Sequence, residues 1–102
     1  MKKSHLKLVD IKKMAEMLST KVETKFAVMT LKDGSRMTTE LNILRTGAMA
    51  FLNISNSITI QFENDDELNK HLEKKFEIFE SDKEMYQTFT GMDDETWEEW
   101  NK

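Results

Sequence analysis

Few side chains in this sequence are of a type that performs nucleophilic or acid–base catalysis. The 102 residues include no cysteine and two histidines, His5 and His71. A serine nucleophile would need one of these histidines as its base, and no Gly-x-Ser-x-Gly turn is present to expose such a serine. General acid–base catalysis needs carboxylates whose pKa values are separated by burial, whereas the carboxylates here follow the outer faces of predicted helices. We therefore predict that the protein is not an enzyme.

Metal and cofactor sites have equally few candidate ligands. Glu67 and His71 stand four residues apart on a predicted helix, but two ligands do not complete a metal site, and a solvated Glu-His pair is the ordinary interpretation. The acidic run at 93–95 lacks the alternating oxygen ligands and the glycine of a calcium-binding loop. The three glycines are too far apart to form a phosphate-binding loop. The sequence predicts neither a metal nor a cofactor.

The ending TGMDDETWEEWNK places both tryptophans in the most acidic part of the chain. Trp97 and Trp100 are three residues apart and share one side of a short helix that Asp93 is placed to cap. Tryptophan is a frequent anchor in protein interfaces, and an acidic rim would steer a basic partner towards it. We predict a partner-binding surface formed by Asp93, Asp94, Glu95, Trp97, Glu98, Glu99 and Trp100.

Two arrangements of these rings are open from the sequence. In the first, which we expect, Trp97 and Trp100 fold back on the sheet and close the core while the carboxylates face outwards. In the second, the rings are themselves exposed and form the centre of an interface. The two arrangements differ in whether the rings contribute to folding or to binding.

The net charge of −4 conceals an uneven distribution along the chain. Residues 1–62 carry a charge of +5, and residues 63–102 carry −9. Such asymmetry bears on partners and association more than on fold. It predicts a partner protein with a basic surface and, between copies of the chain, a weak salt-sensitive self-association. The alternative is nucleic-acid binding through a basic set comprising Lys7, Lys12, Lys13, Lys21, Lys25 and Arg36, although the acidic half would repel a phosphate backbone.

Apolar spacing predicts a helix at each end of the chain. An i, i+3, i+4, i+7, i+11 pattern identifies a first amphipathic helix, with Asp10 as its expected N-cap; the pattern comprises Ile11, Met14, Ala15, Leu18 and Val22. Asn64 and Ser81 each precede a glutamate by three residues, which is typical of helix starts, and Gly91 indicates a helix end. Residues 76–80 alternate over too short a length to distinguish helix from strand.

Between the helices the period changes to two, which predicts strands. The period of two indicates a hairpin in the segment KFAVMTLKDGSRMTTELNIL, with a type I′ turn at Asp33-Gly34. This turn pairs Phe26 with Leu41, and the face of the hairpin that points to the core includes Val28. GAMAFLNISNSITIQF indicates two further strands joined by a turn at SNS. These four strands in sequence order predict an antiparallel meander.

The hairpin and the helix before it resemble the first half of an Sm-like RNA-binding domain, in which a helix leads into a bent five-stranded sheet. Gly34 and Leu41 match that family's turn and x-Gly-x-Leu pattern in spacing, whereas Thr39 stands where the family has glycine. Arg45 and Met49 stand where its RNA-reading aspartate and asparagine would be. The resemblance covers about a quarter of the chain. It implies a small curved sheet and does not imply RNA binding.

The sequence as a whole predicts one α+β domain over residues 1–102. We expect an N-terminal helix, a four- or five-stranded antiparallel meander forming a curved sheet or small open barrel, and two or three C-terminal helical segments. The N-terminus lacks the apolar stretch of a secretory signal, and no apolar run is long enough to span a membrane, so we expect a cytoplasmic protein.

The expected role is non-catalytic protein binding, as an inhibitor or adaptor that presents its acidic C-terminal surface to a basic, nucleic-acid-binding target. Small acidic chains without cysteine are frequent among accessory proteins of mobile elements, which is an analogy of composition.

Overall fold

The chain folds around one six-stranded antiparallel sheet in a computed structural model that describes residues 2–102. The strands are β1 (Lys2–Ser4), β2 (Glu23–Thr30), β3 (Arg36–Arg45), β4 (Ala50–Ile54), β5 (Ile58–Phe62) and β6 (Phe76–Phe79). The helices are α1 (Leu8–Met17), α2 (Asp65–Lys75), α3 (Asp82–Thr90) and α4 (Asp94–Trp100). The predicted α+β class, with an N-terminal helix and three C-terminal helices, is confirmed.

The order of strands across the sheet is β1-β5-β4-β3-β2-β6, so β2 to β5 form the predicted meander. Two short strands, β1 and β6, bring the sheet to six strands, one or two more than predicted. β1 pairs with β5, and β6 pairs with the other edge of the meander at β2, which establishes Phe76–Phe79 as a strand. Because β1 and β6 lie at opposite edges, the sheet is open and does not close into a barrel.

Helices cover both faces of the sheet. On the first face, Leu68 and Leu72 of α2 pack on strand residues that include Leu41, Leu52 and Phe62. Neighbouring side chains of a strand point to opposite faces, so the strand residues next to these in sequence point to the second face. There α1 and α3 cover separate ends, and α4 packs on α3.

A row of polar residues crosses the second face between the clusters of α1 and α3. Its members lie opposite one another on five successive strands: Thr24, Asn42, Asn53, Thr59 and Ser4. Asn42, Asn53 and Thr59 are buried. The Thr24 hydroxyl donates to the Asn42 side-chain oxygen at 3.0 Å, and the Asn53 amide donates to the Thr59 hydroxyl at 3.0 Å. Polar groups buried in this way favour the one register in which they meet.

The predicted hairpin exists, but its turn and register differ from the expectation. Within the β2–β3 loop, Gly34 is the one residue with a positive φ, +88°, and its N–H donates to the carbonyl of Leu31 at 3.0 Å. This is a three-residue loop with glycine in the left-handed position, so the type I′ prediction at Asp33-Gly34 is wrong. The longer loop shifts the pairing by one residue, and Phe26 lies opposite Glu40 instead of Leu41.

The shift also corrects the predicted core face, because Phe26 and Val28 point to the side of α3 while Leu41 and Ile43 point to α2. Both faces of the hairpin are therefore covered. Positive φ at two central residues, the mark of a type I′ turn, occurs instead at Ser55 (51°) and Asn56 (60°) between β4 and β5.

The predicted helix caps are confirmed for α2, α3 and α4. The side chains of Asn64, Ser81 and Asp93 each accept a hydrogen bond from the backbone N–H three residues later. The prediction for α1 is wrong, because the helix begins one turn earlier at Leu8. Asp10 lies within its first turn and accepts from the backbone N–H of Lys7 at 2.8 Å.

Candidate functional site

Helix α4 is attached to the rest of the protein through α3. Gly91 ends α3 in the left-handed conformation at φ 76°, which redirects the chain. Asp93 then caps α4 by accepting from the N–H of Thr96 at 2.8 Å. A carboxylate of Asp94 accepts from the side-chain amide of Gln87 on α3 at 2.7 Å and lies 3.4 Å from the ammonium of Lys83. The two aspartates thus start α4 and hold it against α3.

These hydrogen bonds also change the acidity of the two aspartates. The backbone hydrogen bond from Thr96 lowers the pKa of Asp93. The hydrogen bond from Gln87, followed by that from Lys83, lowers the pKa of Asp94. Both residues are therefore carboxylates at neutral pH, and both are committed to the local structure.

Three aromatic rings meet where α4 crosses α3. The ring of Tyr86 stacks with that of Trp97, with centroids 6.0 Å apart and planes at 27°. It also meets Trp100 edge-on, at 6.0 Å and 72°. We call Tyr86, Trp97 and Trp100 the aromatic cluster. Aromatic pairs favour these offset and edge-on geometries, so the rings hold one another in place.

The expectation that both tryptophans close the core is wrong. No residue of α4 is buried, Trp97 is half-buried against Tyr86, and Trp100 is 65% exposed. Helix α4 docks on α3, where both rings meet Tyr86. Of the two arrangements open from the sequence, the exposed one holds for the ring of Trp100, whereas Trp97 lies between the two.

The three glutamates of α4 differ from the aspartates before them. Within residues 2–102, no hydrogen bond or ion pair engages the carboxylates of Glu95, Glu98 and Glu99, and all three are exposed. The predicted seven-residue surface therefore separates into two parts. Asp93 and Asp94 build and dock the helix, whereas the three glutamates form an acidic rim on the side of α4 away from the tryptophan rings.

A cavity of about 320 Å³ lies beside the aromatic cluster and shares Tyr86 with it. We call it the α3 cavity. Its lining comes from α3, β2, β3 and the β4–β5 turn, and comprises Phe26, Thr38, Thr39, Glu40, Ser55, Asn56, Asp82, Met85 and Tyr86. The lining contains two carboxylates and no cationic side chain. These residues lie in segments that are distant along the chain and form no motif, so the sequence does not predict a site here.

The residues of the basic set do not form one surface. Lys25 points to the face that α2 covers and contacts Glu80 at 2.9 Å. Arg36 points to the opposite face and contacts Glu77 at 3.0 Å. Helix α1, which carries Lys12 and Lys13, packs at Leu44, eight residues along β3 from Arg36 and thus roughly 27 Å away. Lys7 and Lys21 are exposed near the two ends of α1.

The described part of the chain offers little for metal binding. Residues 2–102 contain no group of three or more histidine or acidic side chains arranged to hold a metal ion. His71 lies between the rings of Phe62 and Phe76, with centroids at 5.2 and 6.1 Å. Burial lowers its pKa, and Lys75 and Lys74 lower it further. The imidazole is thus a packing group on the first face of the sheet.

No helix within residues 2–102 has the length and apolar character needed to cross a membrane. No protein-family model matches the chain, and comparison with curated proteins and with solved structures finds no similar protein.

Proposed function

We propose that this protein is a non-catalytic binding module that presents the aromatic cluster and its acidic rim to a basic surface on another protein. The observation that carries the proposal is the 65% exposure of Trp100 on a short helix whose other side carries three carboxylates with no partner within residues 2–102. A tryptophan left in water is an unfavourable use of a large apolar ring unless another surface covers it.

The local architecture supports this role. The acidic side chains that face the partner are distinct from the aspartates that hold the helix, so the rim can be engaged without undoing the attachment of α4. An apolar centre with a charged rim is the usual anatomy of an interface, where the ring provides the anchor and the charges speed the encounter. A target that binds nucleic acid would offer the required basic surface, and this protein would then act as its inhibitor or adaptor.

Two finer proposals accompany this role. The cysteine-free composition supports a cytoplasmic location, and the opposite charges of the two halves support weak self-association between copies. Nucleic-acid binding through the basic set is the alternative function. The separation of Lys25, Arg36 and α1 over two faces of the sheet makes it the less favoured one.

Intrinsic fluorescence offers a direct test, because Trp97 and Trp100 are the two tryptophans of the chain and both lie in the proposed site. We would titrate the protein with a panel of Lys- and Arg-rich peptides that each carry one or two apolar residues. Acidic peptides of the same lengths serve as the comparison. We expect the basic peptides to shift the tryptophan emission at low salt and the acidic peptides to leave it unchanged.

A matched pair of variants separates the acidic rim from general charge. Glu95→Gln, Glu98→Gln and Glu99→Gln together should slow association several-fold at low salt, and the difference should shrink as salt screens it. The control replaces three exposed glutamates elsewhere, Glu16, Glu63 and Glu73, by glutamine. Equal slowing in both triple variants would contradict a local site. Salt-dependent binding of a labelled DNA or RNA duplex, unaffected by the rim variant, would favour the alternative function.

A further inference from the structure

The α3 cavity has the chemical character of a site for a cation with an apolar stem. Its volume of about 320 Å³ is at the lower end of the range for ligand sites and suits one large side chain better than a cofactor. Glu40 and Asp82 supply negative charge, and no lysine or arginine is present in the lining to neutralise them. No ion pair within residues 2–102 engages either carboxylate.

The walls of the cavity add apolar and hydrogen-bonding surface to this charge. Met85 is buried, and the rings of Phe26 and Tyr86 are half-buried. The same lining holds the hydroxyl of Thr38 and the amide of Asn56, which can accept hydrogen bonds. An anionic ligand would be repelled by the two carboxylates, and an entirely apolar one would gain nothing from their charge.

We propose that the α3 cavity binds an arginine side chain of the basic partner. Its guanidinium would lie at the carboxylates of Glu40 and Asp82, and its methylene stem would lie against Phe26 and Met85. Arginine fits this lining better than lysine because its planar group stacks on aromatic rings and donates several hydrogen bonds at once. Tyr86 lies in both the cavity wall and the aromatic cluster, so one partner can occupy the two sites together.

The identity of the occupant as part of a partner protein rests on the proposed function, but the cavity itself can be tested alone. The probe is N-acetyl-arginine methylamide, added to isotope-labelled protein while the NMR signals of Glu40, Asp82 and Tyr86 are followed. The comparisons are the citrulline derivative, a neutral compound of the same shape, and the lysine derivative. We expect shifts that saturate with arginine, weaker binding of lysine, and no saturation with citrulline.

A second pair of variants tests the carboxylates. Glu40→Gln with Asp82→Asn should weaken arginine binding about tenfold or more, because two charge-assisted hydrogen bonds become neutral ones. The control combines Glu73→Gln with Glu84→Gln, which removes two exposed charges outside the cavity lining. Thermal unfolding of both variants verifies that they fold. Equal weakening by the two pairs, or equal binding of arginine and citrulline, would overturn the proposal.

The result also separates this inference from the proposed function. One outcome is that arginine binds at Glu40 and Asp82 while basic peptides bind the Trp100→Ala variant as tightly as the unchanged protein. This outcome would support the arginine site in the cavity and contradict the role of the aromatic cluster. The converse outcome is peptide binding that depends on Trp100 and is unchanged after every arginine is replaced by citrulline. That outcome would overturn the arginine site while the proposed function stands.

Discussion

Asn42 and Asn53 face each other across β3 and β4, and each has one polar side-chain atom with no hydrogen-bond partner within residues 2–102: the Nδ2 of Asn42 and the Oδ1 of Asn53. One of these atoms is a donor and the other an acceptor, and both side chains are at most 2% exposed. Directly opposed side chains in an antiparallel pair are near enough to interact, so a hydrogen bond between the two would satisfy both.

We predict that these two asparagines are energetically coupled. If the two side chains hydrogen-bond to each other, replacing either one by valine should lower the free energy of unfolding by about 1–3 kcal/mol, because the other is then buried without compensation. Replacing both should lower it by less than the sum of the single effects. A double-mutant cycle from denaturant unfolding measures the difference, and a coupling below about 0.5 kcal/mol would show that the residues act independently.

The two tryptophans should respond differently to truncation. Trp100→Ala should change stability by less than about 0.5 kcal/mol, as expected for an exposed side chain, but should weaken the capture of basic peptides. Trp97→Ala should cost more stability, though less than the roughly 3–5 kcal/mol of a fully buried ring, because Trp97 is half-buried against Tyr86. Thermal unfolding and peptide binding are measured on both variants. A large loss of stability in Trp100→Ala would place its ring in the core.

The attachment of α4 should be sensitive to acid. The folded-state pKa values of Asp93 and Asp94 are lowered from the ordinary 3.8, so their stabilising contribution is complete above that pH. It is lost as pH falls through the lowered values. We expect tryptophan emission to change below about pH 4 and this change to be reduced by Asp93→Asn with Asp94→Asn, since asparagine also caps helices.

The matched control for this acid effect is Asp33→Asn. Hydrogen bonds from Ser35 also lower the pKa of Asp33, but this residue lies in the β2–β3 loop and those hydrogen bonds stay within the loop. The Asp33→Asn variant should therefore show the same acid-dependent change in tryptophan emission as the unchanged protein. A transition that all the variants share equally would mean that acid acts on the whole fold and not on the attachment of α4.

Gly34 should be the sensitive position of the β2–β3 loop. Gly34→Val should destabilise the protein by about 1 kcal/mol or more, because a β-branched residue is strained at a φ of +88°. An added Cβ would meet no atom within 4 Å, so the cost comes from the backbone alone. Gly34→Asn should cost less, because asparagine tolerates the left-handed region. Similar melting temperatures for both variants would contradict this account.

Self-association should depend on salt. Opposite charges on the two halves of the chain predict a weak dimer at low ionic strength that dissociates as salt is added. Sedimentation equilibrium at low and high salt measures the change in mass. The Glu95, Glu98 and Glu99 to glutamine variant should weaken the dimer if the acidic rim takes part. A monomer at every salt concentration would exclude this association.

Features that depend on neighbours along the chain could be predicted from the amino-acid order alone. The caps at Asn64, Ser81 and Asp93 were predictable because each needs a side chain and an N–H three residues apart. The meander of β2 to β5 followed from alternation of apolar residues, which reports burial of a strand face. The acidic rim of α4 could likewise be predicted, because the spacing of its glutamates along the sequence places them on one side of a helix.

Tertiary structure decided what depends on partners remote in sequence. β1 is a short polar segment, so only its hydrogen bonds to β5 make it a strand. The hairpin register depends on the loop geometry at Gly34, and a one-residue shift moves every side chain to the other face. Trp100 is exposed because α4 docks on α3, and periodicity shows which side of a helix is apolar but not what covers it. The α3 cavity exists for the same reason, since it forms only when Glu40 of β3 is brought beside Asp82 and Tyr86.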